Sequence, residues 1–279
     1  MFAPRLAFGL ISLLLATACA SSPDTPPRLE RLWTAGGFAN PGSVALAPTG
    51  DLLFVSNAND AGQGGDGFIS VMSLEGEVRS RRHIEGLDAP KGIVFDTTGQ
   101  LWASDGKTVS AFNPASGALR RAHTINAAVK LQDTVALADG TVLSSDPGTN
   151  RIYEITGNGH RTWLQDPLLD AVNGLLARET DLLVTTLEGR LLSIDPGTKS
   201  ISVLAQGLGQ AEGVAVLRGE ALLVSERQGR LTHIGPAGGV TVLIDTADLG
   251  RTINDFIVVE KVLVVPSASA NEVTAWRMR

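Results

Sequence analysis

The chain has 279 residues, 43% hydrophobic but only 5% aromatic, with 31 glycines and a formal net charge of −6. That acidity, without any cluster of lysine and arginine, excludes a nucleic-acid surface. The single cysteine excludes a disulfide framework within the chain, and the length admits one large all-β domain or two ordinary ones.

The N-terminus reads as an export signal. Arg5 supplies a positive start and Leu6–Leu15 an apolar run too short to span a bilayer. Ala16-Thr17-Ala18-Cys19 resembles the processing box of bacterial lipoproteins, although leucine is more usual where Ala16 stands. Residues 1–18 are therefore expected to be a signal peptide. Cys19 is the expected lipidation point, and residues 19–28 a tether. This places the protein at the bacterial cell envelope, on the periplasmic side, touching the membrane through its lipid alone.

From Leu29 onward the chain repeats one unit. Its clearest copy is Gln210–Ile234. An acidic residue and a glycine precede the alternating Val214/Val216. The Arg218-Gly219-Glu220 turn then leads to Leu222–Glu226, and the Gln228-Gly229 turn to Arg230–Ile234. Period-2 runs between glycine-bearing turns predict short antiparallel strands. Equivalent units begin at Gly42, Lys91, Asp133, Asn173, Glu212 and Asp255, spaced by 49, 42, 40, 39 and 43 residues. That period, with four strands per unit, predicts a β-propeller.

The ends predict how the ring closes. Blades one to five each have a segment for an outer strand, but blade six stops at Arg279 after its third. Leu29–Thr34 is an outer strand with no blade before it. Pairing it with the last blade closes a six-bladed ring over residues 29–279 and removes the exposed edges; a seventh blade has no sequence left to build it. Trp33, Trp102, Trp163 and Trp276 fall in strands and read as packing residues. The insertion Asn57–Gly67 lengthens blade one on the channel face, as either a lid or a surface loop; Asp60 and Asp66 lack the spacing of an EF-hand.

In a propeller the first strand of each blade lines the axis, so the residue before its apolar run points toward the channel mouth. Those residues are Gly42, Lys91, Asp133, Asn173, Glu212 and Asp255. Carboxylate and amide oxygens suit a hard cation. Without one, gathered carboxylates repel and at least one pKa should rise. The histidines, His83, His123, His160 and His233, fall on outer or third strands, so a Ser-His-Asp site is not expected.

Segments such as APKGIVFDTTGQLWASD and VNGLL, with the lipoprotein-like start and six blades, resemble the senescence-marker-protein/gluconolactonase/regucalcin family and its relative diisopropylfluorophosphatase. The likeness covers about residues 29–279 as blade pattern. It implies an axial divalent cation held by a blade-one Glu, an Asn-Gly, an Asp-Gly and an intervening Asn-Asp. Asn173-Gly174 matches the Asn-Gly, and Glu212-Gly213 replaces the Asp-Gly. Gln132-Asp133 stands at the Asn-Asp; strand parity favours Asp133, and the distance to Gly140 favours Gln132. Gly42 stands where the family has its Glu.

The resulting expectation is a Ca²⁺ site of Asn173, Glu212, Asp133 and Asp255, with Asp133 or Asp255 as catalytic base. Lys91 would lie across from Glu212 and able to neutralise it. Two functions follow from this. One is a cation-dependent hydrolase of a small lactone or ester. The other is a non-catalytic propeller binding a small ligand or a protein partner, since the scaffold serves both.

Overall fold

The structure is a computed structural model that describes residues 22–59, 64–157 and 159–279. The signal segment, Cys19 and Asp60 lie outside the described residues. The rest forms six four-stranded antiparallel sheets arranged as the blades of a propeller. Blade one is Pro41–Leu46, Leu52–Asn57, Gly67–Ser73 and Val78–Leu87, and the next four blades repeat that order from axis to rim.

The inner strands of each blade are buried on both faces, while the rim strands stay largely exposed. Six separate cores lie between neighbouring blades. Phe54 and Ile69 of blade one meet Ile93 and Leu101 of blade two. Trp102 meets Tyr153, and Leu143 and Ile152 meet Val184 and Leu192. Leu183 packs with Val224, Leu231 with Leu263, and Val264 and Val273 with Leu53 and Met72. Each blade thus depends on both neighbours, and the last of these cores joins the two ends of the chain.

Closure occurs as the strand count predicts. Leu29–Gly36 pairs antiparallel with Glu272–Met278, from Leu29 opposite Met278 to Gly36 opposite Glu272. The first strand of the domain is therefore the rim strand of the last blade. Trp33 holds the seam: its indole Nε1 donates to Leu74 O of blade one at 2.9 Å. Its ring lies where a Cβ on Gly76 would come within 2.6 Å, and Gly76 itself has φ +92°, a conformation glycine adopts without strain.

Residues 22–28, expected to be tether, are docked on the ring. Asp24 Oδ1 accepts from Ala237 N at 3.0 Å, and Pro23 packs against Gly219. Arg28 and Arg279 exchange backbone hydrogen bonds of 3.0 and 2.9 Å.

Two truncations separate the roles of these segments. Removing residues through Thr34 takes most of the closing strand and uncovers the edge of blade six. Its melting temperature should fall far below that of a truncation ending at Pro27, which loses only the docked strap. Equal melting temperatures would reject the closure.

Candidate functional site: the mouth of the axial channel

The six positions chosen from the repeat do converge. Gly42, Lys91, Asp133, Asn173, Glu212 and Asp255 line one cavity of about 40 Å³, together with Ser43, Gln132, Arg227 and Asn254. That volume holds a water or two, or one functional group of a ligand.

Backbone irregularity aims these side chains. The register between first and second strands shifts across Pro41/Val44, Pro90/Ile93, Val172/Leu175 and Ala211/Val214. These shifts bracket Gly42, Lys91, Asn173 and Glu212, so each sits in a bulge that turns its side chain out of the pleat. In blades three and six the first strands, Thr134–Ala136 and Ile257–Val259, begin one residue after Asp133 and two after Asp255.

The glycine that follows several of these positions is a steric requirement. A Cβ on Gly174 would lie 1.8 Å from Glu212 O, and one on Gly92 2.3 Å from Asp133 Oδ1.

A hydroxyl belt, not anticipated from the sequence, ties the bulges together. Ser43 N donates to Ser56 Oγ at 3.0 Å, Gly174 N to Thr185 Oγ1 at 2.9 Å, and Gly213 N to Ser225 Oγ at 2.8 Å. Several of these hydroxyls also donate to the next blade: Ser104 to Gln132 O at 2.6 Å, Ser145 to Asn173 O and Thr185 to Glu212 O. The signal was present as a Ser or Thr recurring at the end of each second strand in blades one to five, Ser56, Ser104, Ser145, Thr185 and Ser225.

Asp133 and Asp255 come from blades opposite one another in the ring and play matching parts. Asp133 Oδ1 accepts from Thr134 N, and its Oδ2 accepts from Leu175 N of blade four, both at 2.7 Å. Asp255 Oδ1 accepts from Phe256 N at 2.9 Å, and its Oδ2 accepts from Ser43 Oγ of blade one at 2.7 Å. Each carboxylate therefore fastens its own blade to the next. Burial, and for Asp133 also the charge of Asp255, raises both pKa values; Asp133 is held well above the ordinary carboxylate range and Asp255 is pushed up to about 6.

Glu212 is neutralised by a residue the sequence reading passed over. Arg227 pairs with its Oε1, and Asn254 Nδ2 donates to its Oε2 at 3.2 Å. Arg227 stands just beyond the second strand of the same blade, and Asn254 just before Asp255. Both line the cavity, Arg227 from the second-to-third turn and Asn254 from the approach to a first strand.

Lys91, expected to neutralise Glu212, forms no ion pair or side-chain hydrogen bond among the described residues. Desolvation, then the charge of Lys130, lowers its pKa. The buried Nδ2 of Asn173 also has no partner. Gln132 contributes its carbonyl, which accepts from Gly92 N at 2.7 Å as well as from Ser104. No histidine lines the cavity.

These residues do not make a cage for a divalent cation. The oxygens of Asp133 and Asp255 hold backbone and hydroxyl donors, Glu212 carries a guanidinium, and the Lys91 ammonium shares the cavity. Blade one offers Gly42 and Ser43 instead of a carboxylate. Among the described residues, no group of three or more His, Cys, Asp or Glu side chains is placed to hold a metal ion.

No family model matches the chain, and no curated protein matches its sequence. Solved structures do match. A gluconolactonase from Xanthomonas campestris superposes with a TM-score of 0.70 at 15% identity, over 91% of this chain and 95% of that one. Virginiamycin B lyase from Staphylococcus aureus superposes with a TM-score of 0.66 at 11% identity, over 91% of this chain and all of that one. The fold is that of the gluconolactonase-like propellers. At these identities the likeness is one of fold, and the chemistry has to be argued from the cavity.

The raised carboxylate pKa values set a pH dependence. A folded-state pKa above the unfolded value contributes stability that is fully present below the unfolded pKa and is lost as pH rises through the folded one. For Asp255 that window runs from its ordinary 3.8 to about 6. Wild-type stability should fall across it, and Asp255→Asn should flatten the profile. Asp133→Ala should destabilise at every pH, by about 1–3 kcal/mol for each backbone donor left bare. Urea unfolding from pH 4 to 7 measures both. An unchanged profile in Asp255→Asn would show that this carboxyl does not titrate there.

Proposed function

We propose that the chain is an envelope-anchored propeller, held by a lipid on Cys19, whose axial mouth binds a small oxygen-rich molecule. The class that fits is a sugar lactone or the hydroxy-carboxylate it opens to. One observation carries this reading. The acidic oxygens of the cavity already have donors, whereas the buried Asn173 Nδ2 has no acceptor and the Lys91 ammonium has no protein acceptor among the described residues. A buried donor without an acceptor is unfavourable by about 1–3 kcal/mol, and a carbonyl or carboxylate oxygen entering the mouth relieves it. Because the cavity is small, it takes the ligand's head group and leaves the remainder in the open mouth.

In this reading binding needs no divalent cation, since Arg227 and Lys91 already supply the positive charge that the carboxylates require. Asp133 and Asp255 act first as braces between blades.

A hydrolase of a small lactone is the second reading. It is favoured by Asp255, whose carboxyl changes charge near pH 6 at the cavity wall. Ionised, it can accept a proton from water as the water oxygen adds to a lactone carbonyl. The ring C–O bond then breaks and its oxygen takes up a proton.

Titrating the soluble domain with gluconate and glucono-1,5-lactone, in the presence of a chelator, separates these readings. Both ligands should raise the melting temperature. Lys91→Met should weaken binding about tenfold or more, which corresponds to about 1.4 kcal/mol, while Glu188→Gln on a nearby surface turn should match wild type. If neither ligand shifts the melting curve, or Lys91→Met binds as well as wild type, the binding reading fails. Proton release above the uncatalysed rate, lost in Asp255→Asn, would establish the hydrolase. A melting temperature raised by Ca²⁺ and lowered by chelator would overturn the cation-free account.

A further inference from the structure

We infer that the protein sits on its membrane with the face opposite the channel mouth turned toward the lipid, so that the mouth opens into the aqueous compartment. The inference rests on the anchored reading of Cys19 and on nothing about the ligand.

The two faces of the ring are distinguished by strand direction. Each first strand begins at the cavity and ends at the opposite face, where the first-to-second turns lie, including Arg218–Glu220 of blade five. Third strands run parallel to first strands, so the third-to-fourth turns, such as Gly235–Gly239, lie on that same underside.

The N-terminal strap is built onto this underside. Asp24 bridges to Ala237 N at 3.0 Å. A Cβ on Gly235 would lie 2.5 Å from Asp24 Oδ1, and one on Gly219 2.6 Å from Pro23. Thr25 N donates to Ser22 O at 2.8 Å, folding the strap into a turn. From there the chain passes beneath blade six to Arg28, which pairs with Arg279 at the lower end of the closing strand.

Cys19 precedes Ser22 by three residues. Fully extended, three residues reach about 10 Å. A blade strand of five to seven residues is roughly 20 Å tall at about 3.3 Å per residue. Within that reach of Ser22, the backbone of Cys19 stays nearer the underside of blade five than the mouth while the strap is docked.

Charge does not hold that face down. The underside turns carry Asp51, Glu75, Asp139, Glu179 and Glu220, which anionic headgroups repel. The short covalent tether holds it there. The consequence for specificity is that the mouth samples water-soluble molecules and not bilayer components.

Orientation can be read with one label placed on either face. Full-length lipidated protein carrying Arg218→Cys on the underside, or Glu188→Cys in the second-to-third turn on the mouth side, is labelled with a thiol-reactive fluorophore. It is then reconstituted into phosphatidylethanolamine/phosphatidylglycerol vesicles containing a lipid with a nitroxide on its headgroup. Flotation of the vesicles reports attachment, and fluorescence quenching reports which face is near the lipid. Quenching at position 218 should be several-fold stronger than at 188. Protein that floats with the vesicles but is quenched equally at both positions, or more strongly at 188, overturns the orientation while leaving the anchor intact. Wild-type protein that neither floats nor carries an acyl group on Cys19 by mass spectrometry overturns the anchored reading, and the orientation with it.

Discussion

Crowding at the propeller axis is the constraint on which the rest of this structure depends. Six first strands converge on one line, and where they converge the backbone of one blade touches the next. Gly174 against Glu212 O and Gly92 against Asp133 leave no room for even a methyl group. The chain meets that constraint with glycines, with bulges that swing the preceding side chain toward the mouth, and with hydroxyls that satisfy the displaced amides. Polar side chains at the axis are thus a consequence of packing six blades before they are a device for chemistry.

The same constraint governs the electrostatics. A charge buried at the axis needs a partner, and here the partners come from the protein itself. Arg227 and Asn254 hold Glu212. Asp133 and Asp255 accept donors from the following blades and are raised in pKa by burial. Among the described residues the carboxylates at this mouth hold donors, while Asn173 Nδ2 has no acceptor and Lys91 no ion pair, and the proposed ligand class rests on that asymmetry.

Closure and the proposed attachment meet in one short stretch. The strand that pairs with blade six is preceded by a strap fastened under blades five and six. Residues 22–24 are therefore held at a fixed point on the underside. A tether designed only for reach would have no need of Asp24 in the Gly235–Gly239 turn.

Blade number, strand order, the closing strand and the six axial positions were legible in the sequence by itself. They follow from local patterns that repeat: period-2 runs, turn glycines, and a glycine or polar residue just before the first apolar run of each unit. That Asp133, Asn173, Glu212 and Asp255 would share a cavity followed from the repeat alone. Who pairs with whom did not, because pairing depends on distances between blades. The repeat placed Lys91 across from Glu212, yet the partner is Arg227 of the same blade, and only the tertiary structure shows Lys91 left over. Asp133 and Asp255 read as free ligands until the structure brought Leu175 N and Ser43 Oγ up to them. Residues 22–28 read as tether because proline, serine and aspartate carry no periodicity. Their docking is decided by two turns about two hundred residues away in sequence, at Gly219 and Gly235. Local pattern determines which strands form and which side chains reach the axis. The balance of charge there, and the face on which residues 22–28 dock, exist only once the ring has closed.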